Sequence, residues 1–543
     1  TPNGSPTVSQ IPRRALNMIT GLALKNYRTL MSKLTDTLVK AGYVAANQGH
    51  STISRLLWKG AGMADQVRSQ VLLDLSRLEA DPDGSYQELA PNWLEHASVL
   101  LERAGAQGDA AQVLEALKLI FHPTIEQGLS HSPIAEMDPR LRSYLFTSPA
   151  VARLRGDDAV VEPAQVATTG VQLPWAEAEG NQVVSAHVVQ AQRPRAEHLL
   201  VLTDTNFNFM EPIIGYWPQK AQVRIRQLGD EELDFCSALQ TISDRLENRD
   251  AEVPEFLRKD LQWADTVYVE WGSALAARLS GTDLTSVGSP RLLVRVHKFE
   301  AFTMMPLLTR WENVSDLITI APPVTRALTS TVLGLAERTR INYVPNCMDL
   351  VSFKLSKLQP AAYSIMLVGY DRLVKDPAWA LDVLEQLRQL SDKPWKLTLV
   401  GEAPAAGGSY WDSFNQRCQQ LGVQSLGYRS DMPEVLRKAS VILSSSMVEG
   451  VHISVQQGAA SGCLPVVRNW PGLASLGGPE TIYPADWVVD SPRAAAQRIL
   501  DNTNESGLTK PEVAEQASQW TLANLDAQVT LPLLDQVVLG GAQ

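Results

Sequence analysis

The sequence predicts an α/β protein: two doubly wound, Rossmann-like domains preceded by an all-helical amino-terminal region. Three observations carry this. From His198 onward short apolar runs recur at helical separations: Leu199–Leu202, Val223–Arg226, Val267–Glu270, Leu292–His297, Leu317–Ile320 and Ile341–Val344. After a break near Ser356–Ala362 a second series follows: Ile365–Val368, Leu397–Val400, Val441–Leu443, Leu464–Val467 and Ile482–Tyr483. Short strands alternating with helices build parallel sheets covered on both faces, and two series joined by one break predict two such domains. Before His198 the period changes: Ile19, Ala23, Tyr27, Leu30, Leu34, Leu38 and Ala41 recur at spacings of three and four, one face of a long helix.

The totals agree with a multidomain chain. At 543 residues it exceeds what one hydrophobic core sustains. A formal charge of −11 argues against a general nucleic-acid binder, which needs a basic excess. Cys236, Cys347, Cys418 and Cys463 are scattered, with no CxxC pair, and read as free thiols in a reducing compartment. No apolar run is long enough for a membrane span, and the first residues lack a signal-peptide layout, so a cytoplasmic location is expected. The sequons at Asn3, Asn313 and Asn504 are read as chance.

The expected order is a helical region over 1–160, a linker or extra strands over 161–197, the first Rossmann-like domain over 198–357, the second over 358–510, and carboxyl-terminal helices over 511–543. Residues 1–10 are expected to be disordered. Helices are read at 51–80, 92–105 and 109–121, the last two as a hairpin without a fixed repeat period. Asp81-Pro-Asp-Gly reads as a turn, and its DxD as a surface feature rather than a metal site. Residues 1–60 carry eight Lys or Arg against one acid, Asp36. That face is either solvated or packed on an acidic neighbour, or suited to an anionic membrane surface or a polyanionic acceptor, giving peripheral contact to a protein or to the inner membrane face. Gln182–Val189 reads as an extra strand or hairpin.

The chemistry gathers in the second series. Its first strand ends in Gly369, followed by Arg372 and Lys375, and its second ends in Gly401-Glu402. Glycine lets backbone approach a ligand closely, and the two cations place positive charge on one loop. The stretch from Val441 to Val467 reads as strand, loop, helix, strand, with Glu449, Gly450, Val451 and His452 at the mouth of the helix and Gln457 two turns on. Helix amino ends beyond parallel strands favour anions. Two cations and a helix amino end make a metal-free diphosphate site; Glu449 and Gln457 add hydrogen-bonding groups for hydroxyls. Together these describe a nucleotide sugar. In the first series, Arg295-Val-His297 closes a buried strand, and Val269-Glu270-Trp271-Gly272 and Thr203–Asn208 follow two others. No GxSxG elbow occurs at a strand end.

These motifs resemble the GT-B glycosyltransferases, and within them family 4, over about residues 198–530. Val344-Pro345-Asn346-Cys347-Met348-Asp349 is similar to the family's Pro-Asn-Gly-Val-Asp, with Cys347 in the glycine place. Val368-Gly369 and Lys375 match the family's Val-Gly-Arg and following lysine, with Tyr370 where the arginine stands. Glu449 matches the first position of the family's Glu-seven-Glu, and Gln457 replaces the second glutamate. Ala459–Val467 looks like Ala-x-Gly-x-Pro-Val-Val. The resemblance implies that 198–357 is the acceptor domain and 358–510 the donor-binding domain. It implies retaining transfer from a nucleotide diphosphate sugar to a glycan, lipid or protein, without metal or cofactor. It assigns His297 and Glu449 as catalytic. Gly369, Arg372, Lys375, Gly401, Glu402, Gly450, Val451, His452 and Gln457 fall to donor binding. Two alternatives stay open: a catalytically weak relative serving as a binding or scaffold subunit, and a GT-B epimerase.

Overall fold

The computed structural model describes residues 82–122, 132–157, 183–189, 193–205, 207, 209–404 and 409–540. The expectations for residues 1–81, including the terminal disorder, the helical face from Ile19 to Ala41, the helix at 51–80 and the basic face, lie outside the described residues, as do residues 161–182 and 190–192 of the linker expected over 161–197. The chain forms two compact units, Thr1–Leu101 and Glu102–Gln543; both sheets lie in the second.

The turn expected at Asp81–Gly84 is corrected: a helix runs from Pro82 to Gln107. Proline suits the first turn of a helix, where its missing N–H leaves no bond unmade. A second helix, Ala110–Ile120, is capped by Asp109, which accepts the Gln112 N–H at 3.1 Å. Ser148 ends one short helix, Pro139–Thr147, and caps the next, Pro149–Arg155.

Among the described residues there are two six-stranded sheets, both parallel throughout. The first comprises β1 (His198–Thr203), β2 (Gln222–Gln227), β3 (Thr266–Glu270), β4 (Arg291–Val296), β5 (Asp316–Thr319) and β6 (Arg340–Tyr343), in the order β2-β1-β3-β4-β5-β6. The second comprises β7 (Ser364–Val368), β8 (Lys396–Val400), β9 (Gln424–Ser425), β10 (Val441–Ser444), β11 (Leu464–Arg468) and β12 (Val488–Val489), in the order β12-β11-β10-β7-β8-β9. Two doubly wound Rossmann-like sheets in succession make the expected GT-B arrangement. The central strands are apolar end to end because helices bury both faces; β3 and β5 are buried at every residue. The edge strand β2 alternates instead, with Arg224 and Arg226 turned toward Asp260 at 2.9 Å. Charge on an edge strand discourages pairing with other chains.

Two strand expectations are corrected. Ile482–Tyr483 is not a strand; it follows a 3-10 turn over Pro479–Thr481, and the edge position is taken by β12. Gly477 and Gly478 at φ +98° and +52° turn the chain there, and Pro484 follows, so the apolar pair enters the core from a loop. Residues 183–189 form no strand or hairpin but an irregular strap with one antiparallel bridge, His187 to Tyr343. The strap touches both sheet domains: Val184 donates to the Thr481 carbonyl at 2.9 Å and Val189 to Asn342 Oδ1 at 2.9 Å.

The tail crosses between the domains. Helix Pro511–Leu525 lies on the second, where Ser518 donates to the Ala460 carbonyl at 2.9 Å. Helix Ala527–Val538 returns to the first, adding Leu531, Leu534, Val537 and Val538 to the core of Leu199, Val201 and Trp217. Asp526 marks the crossing; its Oδ2 accepts the N–H groups of Leu350 at 2.9 Å and Val351 at 3.1 Å.

Candidate active site

In the second sheet the strand order reverses between β7 and β10, which places a crevice beyond their carboxyl ends. The loops after these two strands carry the predicted donor-side residues. Gly369 ends β7 at φ +78° and Gly401 ends β8 at φ +130°, backbone that side-chain-bearing residues rarely adopt. They also lie against each other: a Cβ on Gly401 would sit 3.4 Å from the Gly369 Cα. Tyr370, in the place of the family's arginine, turns into the core and meets Ser425 Oγ at 2.9 Å, so it offers the crevice no cation.

The loop after β7 is fastened to the loop after β10. Met447 donates to the Val374 carbonyl at 2.9 Å and Ser445 Oγ to the Lys375 carbonyl at 2.6 Å. Arg468 holds Asp376 at 2.6 Å. This fastening aims Lys375: its Nζ lies 2.5 Å from Glu449 Oε1, which also accepts Ser446 Oγ at 2.7 Å. His452 Nδ1 stands 4.0 Å from the same oxygen. Burial alone would push the Glu449 carboxyl upward, but Lys375, His452 and Lys298 outweigh it and hold the pKa at about 2. His452 caps the helix Ile453–Ala460 and meets Ser444 Oγ at 2.6 Å. Its backbone N–H and carbonyl both bond the Tyr483 hydroxyl, at 3.2 Å. Burial lowers the His452 pKa to about 4, so the ring is neutral at pH 7.

The remaining donor-side candidates spread outward. Arg372 is exposed, 3.6 Å from Asp371. Glu402 is exposed, and Val451 and Gln457 are half-buried. Gly458, next to Gln457, packs the helix onto β10: a Cβ there would sit 2.5 Å from Ile442 Cβ.

In the first sheet the order reverses between β1 and β3. In the loop after β1 the Asp204 carboxylate caps the helix Ala274–Ser280, accepting Ser273 Oγ at 2.7 Å and the Leu275 N–H at 3.1 Å. Asn206 and Asn208 lie outside the described residues. His297, after β4, is buried and its Nε2 lies 2.6 Å from Glu270 Oε1. Its backbone N–H donates to Glu300 Oε2 at 2.9 Å. Trp271 and Phe209 lean on the imidazole with centroids at 4.2 and 6.1 Å. Both hold left-handed backbone, φ +73° and +69°, a conformation that costs about 1–3 kcal/mol for residues with side chains and concentrates at functional sites.

Glu270 is the centre of a buried polar cluster. Tyr268 donates to its Oε2 at 2.5 Å, and Arg295 Nη1 lies 3.7 Å from that oxygen. Arg295 Nη2 in turn donates to Asn346 Oδ1 at 2.9 Å. Burial would raise the Glu270 pKa; Arg295 and His297 reverse it and keep the carboxylate ionised. An ionised acceptor fixes the His297 proton on Nε2. Desolvation lowers the His297 pKa despite Glu270, so the ring is neutral at pH 7.

The structure thus gathers Lys375, Glu449, Gly450 and His452, sets Gly369 and Gly401 beside them, and leaves Arg372 and Glu402 at the surface. The sequence reading missed Lys298. It follows His297 directly and faces the second domain, where a Cβ on Gly450 would lie 2.7 Å from the Lys298 Cβ. A basic residue at a strand end beside a candidate histidine was the available signal. Among the described residues no group of three His, Cys, Asp or Glu is placed to hold a metal ion, and no helix is long and apolar enough to cross a membrane.

Residues 362–503 match the family described as glycosyl transferases group 1. That stretch contains β7–β12 and every donor-side candidate. Among curated proteins none matches the chain. Among solved structures it is similar to Anabaena HepE in complex with UDP, at 14% identity over 63% of this chain and 99% of that one, TM-score 0.47. It is also similar to a glycosyltransferase from Rickettsia africae (11% identity, 64% and 99% covered, TM-score 0.42). An O-GlcNAc transferase mutant of Thermobaculum terrenum is a third (14% identity, 93% and 96% covered, TM-score 0.38).

Proposed function

We propose that this chain is a retaining, metal-independent glycosyltransferase of family 4, moving a sugar from a nucleotide diphosphate sugar to a glycan, lipid or protein acceptor. The observation that carries the reading is the contact of Lys375 with Glu449 at the switch point of the second sheet, inside the stretch that matches the group 1 glycosyl transferases. On this reading residues 198–357 form the acceptor domain and 358–510 the donor-binding domain. A cytoplasmic location and peripheral membrane contact belong to the same reading, the contact being supported by the basic excess of residues 1–60.

The chemistry is that implied by the resemblance to family 4. The bond from the anomeric carbon to the departing diphosphate breaks, an acceptor hydroxyl oxygen bonds that carbon on the same face, and the hydroxyl proton passes to the leaving phosphate oxygen. Negative charge grows on the diphosphate as it leaves. Lys375, Arg372 and the backbone at Gly450 are suited to stabilise it, and a preorganised donor of this kind is typically worth about a hundredfold to a thousandfold in rate. Glu449, fully ionised at neutral pH, accepts donor-sugar hydroxyls and keeps Lys375 in place. Contact between the two sheet domains at Gly450 and Lys298 keeps water from the reacting carbon.

The test is a donor panel of UDP-, GDP- and ADP-sugars with wild type, Lys375→Met and Glu449→Ala. Wild type consumes at least one donor, and both variants lose transfer while remaining folded. Turnover of a donor by both variants at the wild-type rate refutes the site.

A further inference from the structure

Lys298 belongs to the first sheet domain, yet its charged neighbours belong to the second. It opens the short helix Lys298–Ala301 directly after His297. Its stem runs beside Phe302, with Nζ 5.9 Å from that ring's centroid, and its Cβ is where a side chain on Gly450 would have to go. Glycine at position 450 is what lets the two domains meet there. From the second domain Glu449, Lys375 and the surface-exposed Arg372 act on the Lys298 charge; His452 Nδ1 stands 4.0 Å from Glu449, and Glu300 lies on the same short helix as Lys298.

The charge balance at this point is uneven. Lys298, Lys375 and Arg372 bring three positive charges; Glu449 returns one negative charge, shared with Lys375, Asp371 a second at the surface beside Arg372, and Glu300, its pKa raised to about 7 by burial, part of a third. His452 is neutral. Burial penalises an uncompensated cation, and Lys298 shows it, its pKa pushed down to about 8 by burial, then by Lys375 and Arg372, against the pull of Glu449. A cluster with surplus positive charge, half-buried at Lys298 and Lys375 and exposed at Arg372, is arranged for an anion that arrives with the ligand.

Resting on the glycosyltransferase reading above, we infer that Lys298 is a third cation of the diphosphate site, supplied across the cleft, so that the donor's diphosphate bridges the two sheet domains. The first domain then recognises the donor through its charge as well as through any contact to the sugar.

The experiment uses the full chain and inorganic pyrophosphate, titrated by calorimetry at pH 7 and pH 9, with wild type, Lys298→Gln and Lys298→Arg. At pH 7 wild type and Lys298→Arg bind with similar affinity, and Lys298→Gln binds about tenfold more weakly or worse, the usual cost of losing a charge-assisted bond. At pH 9 wild type loses affinity relative to Lys298→Arg, because the lysine deprotonates and the arginine does not; the difference isolates Lys298 from Glu300 and the other titrating groups. Equal affinity in all three proteins at both pH values overturns the inference, as does a wild type that fails to bind pyrophosphate. Loss of binding in Lys298→Arg with melting unchanged overturns it too. Should pyrophosphate bind with this Lys298 dependence while no nucleotide sugar is consumed, the transfer reading fails and the anion site stands.

Discussion

Replacing Glu449 with Gln should remove a pH dependence that the wild type carries in its acid limb. The carboxyl is buried and held at a pKa of about 2 against a usual 4.5. That difference is worth about 3 kcal/mol of stability at neutral pH. Because the folded pKa lies below the unfolded one, this stability is fully present above pH 4.5 and is lost as pH falls toward 2. At pH 3.5 about 1 kcal/mol of it is already gone. Glutamine keeps the shape and the capacity to accept from Ser446 and Lys375 but cannot ionise. Glu449→Gln should therefore be less stable than wild type by up to about 3 kcal/mol at pH 7, a gap that narrows by about 1 kcal/mol at pH 3.5. Urea unfolding followed by circular dichroism at a series of pH values reads both numbers. A gap that stays constant from pH 7 to pH 3.5 would refute the reasoning, since it would mean that the carboxylate charge is not what Lys375, His452 and Lys298 hold.

Further outcomes follow from the packing. Glu270→Ala should destabilise by about 3–5 kcal/mol, because it leaves Arg295 charged and fully buried with its nearest carboxylate gone; denaturant unfolding checks this, and a loss under 1 kcal/mol would count against the buried cluster. In the same variant the His297 ring should no longer hold its proton on Nε2, visible as a changed imidazole nitrogen shift by NMR. Gly458→Ala should cost about 1–3 kcal/mol, since the new methyl would meet Ile442 at 2.5–2.7 Å and lift the helix Ile453–Ala460 from β10. Melting temperature reports it, and an unchanged value would show that the helix yields freely.

The strands were readable because helices cover both faces of both sheets, which forces unbroken apolar runs such as Leu199–Leu202 and Val441–Leu443. Where that force is absent the reading slips. β9 is Gln424–Ser425, an exposed edge with no apolar pattern to mark it in the sequence. Ile482–Tyr483 has the pattern without the strand, because Tyr483 is buried for another task, bonding the His452 backbone. Asp81-Pro-Asp-Gly has turn chemistry, yet proline and aspartate also serve a helix start. In the site, Lys375 and Glu449 were legible because both lie just beyond strand ends whose order can be guessed. Glu270 and Arg295 gave a sharper signal than was used: charges inside buried strands require partners, and here they found each other. Lys298 shows in the sequence only as a basic residue beside a candidate histidine at a strand end; its role depends on which surface of the first domain meets Gly450, a contact that the local pattern does not encode.

The central claim is that the crevice between β7 and β10 holds the diphosphate of a sugar donor through Lys375. Calorimetric titration of UDP, GDP and ADP into wild type and Lys375→Met tests it most directly. The account predicts that wild type binds at least one nucleoside diphosphate and that Lys375→Met binds it about tenfold more weakly or worse, with its fold intact. Equal affinity in the two proteins, or no binding of any of the three by wild type, would contradict it.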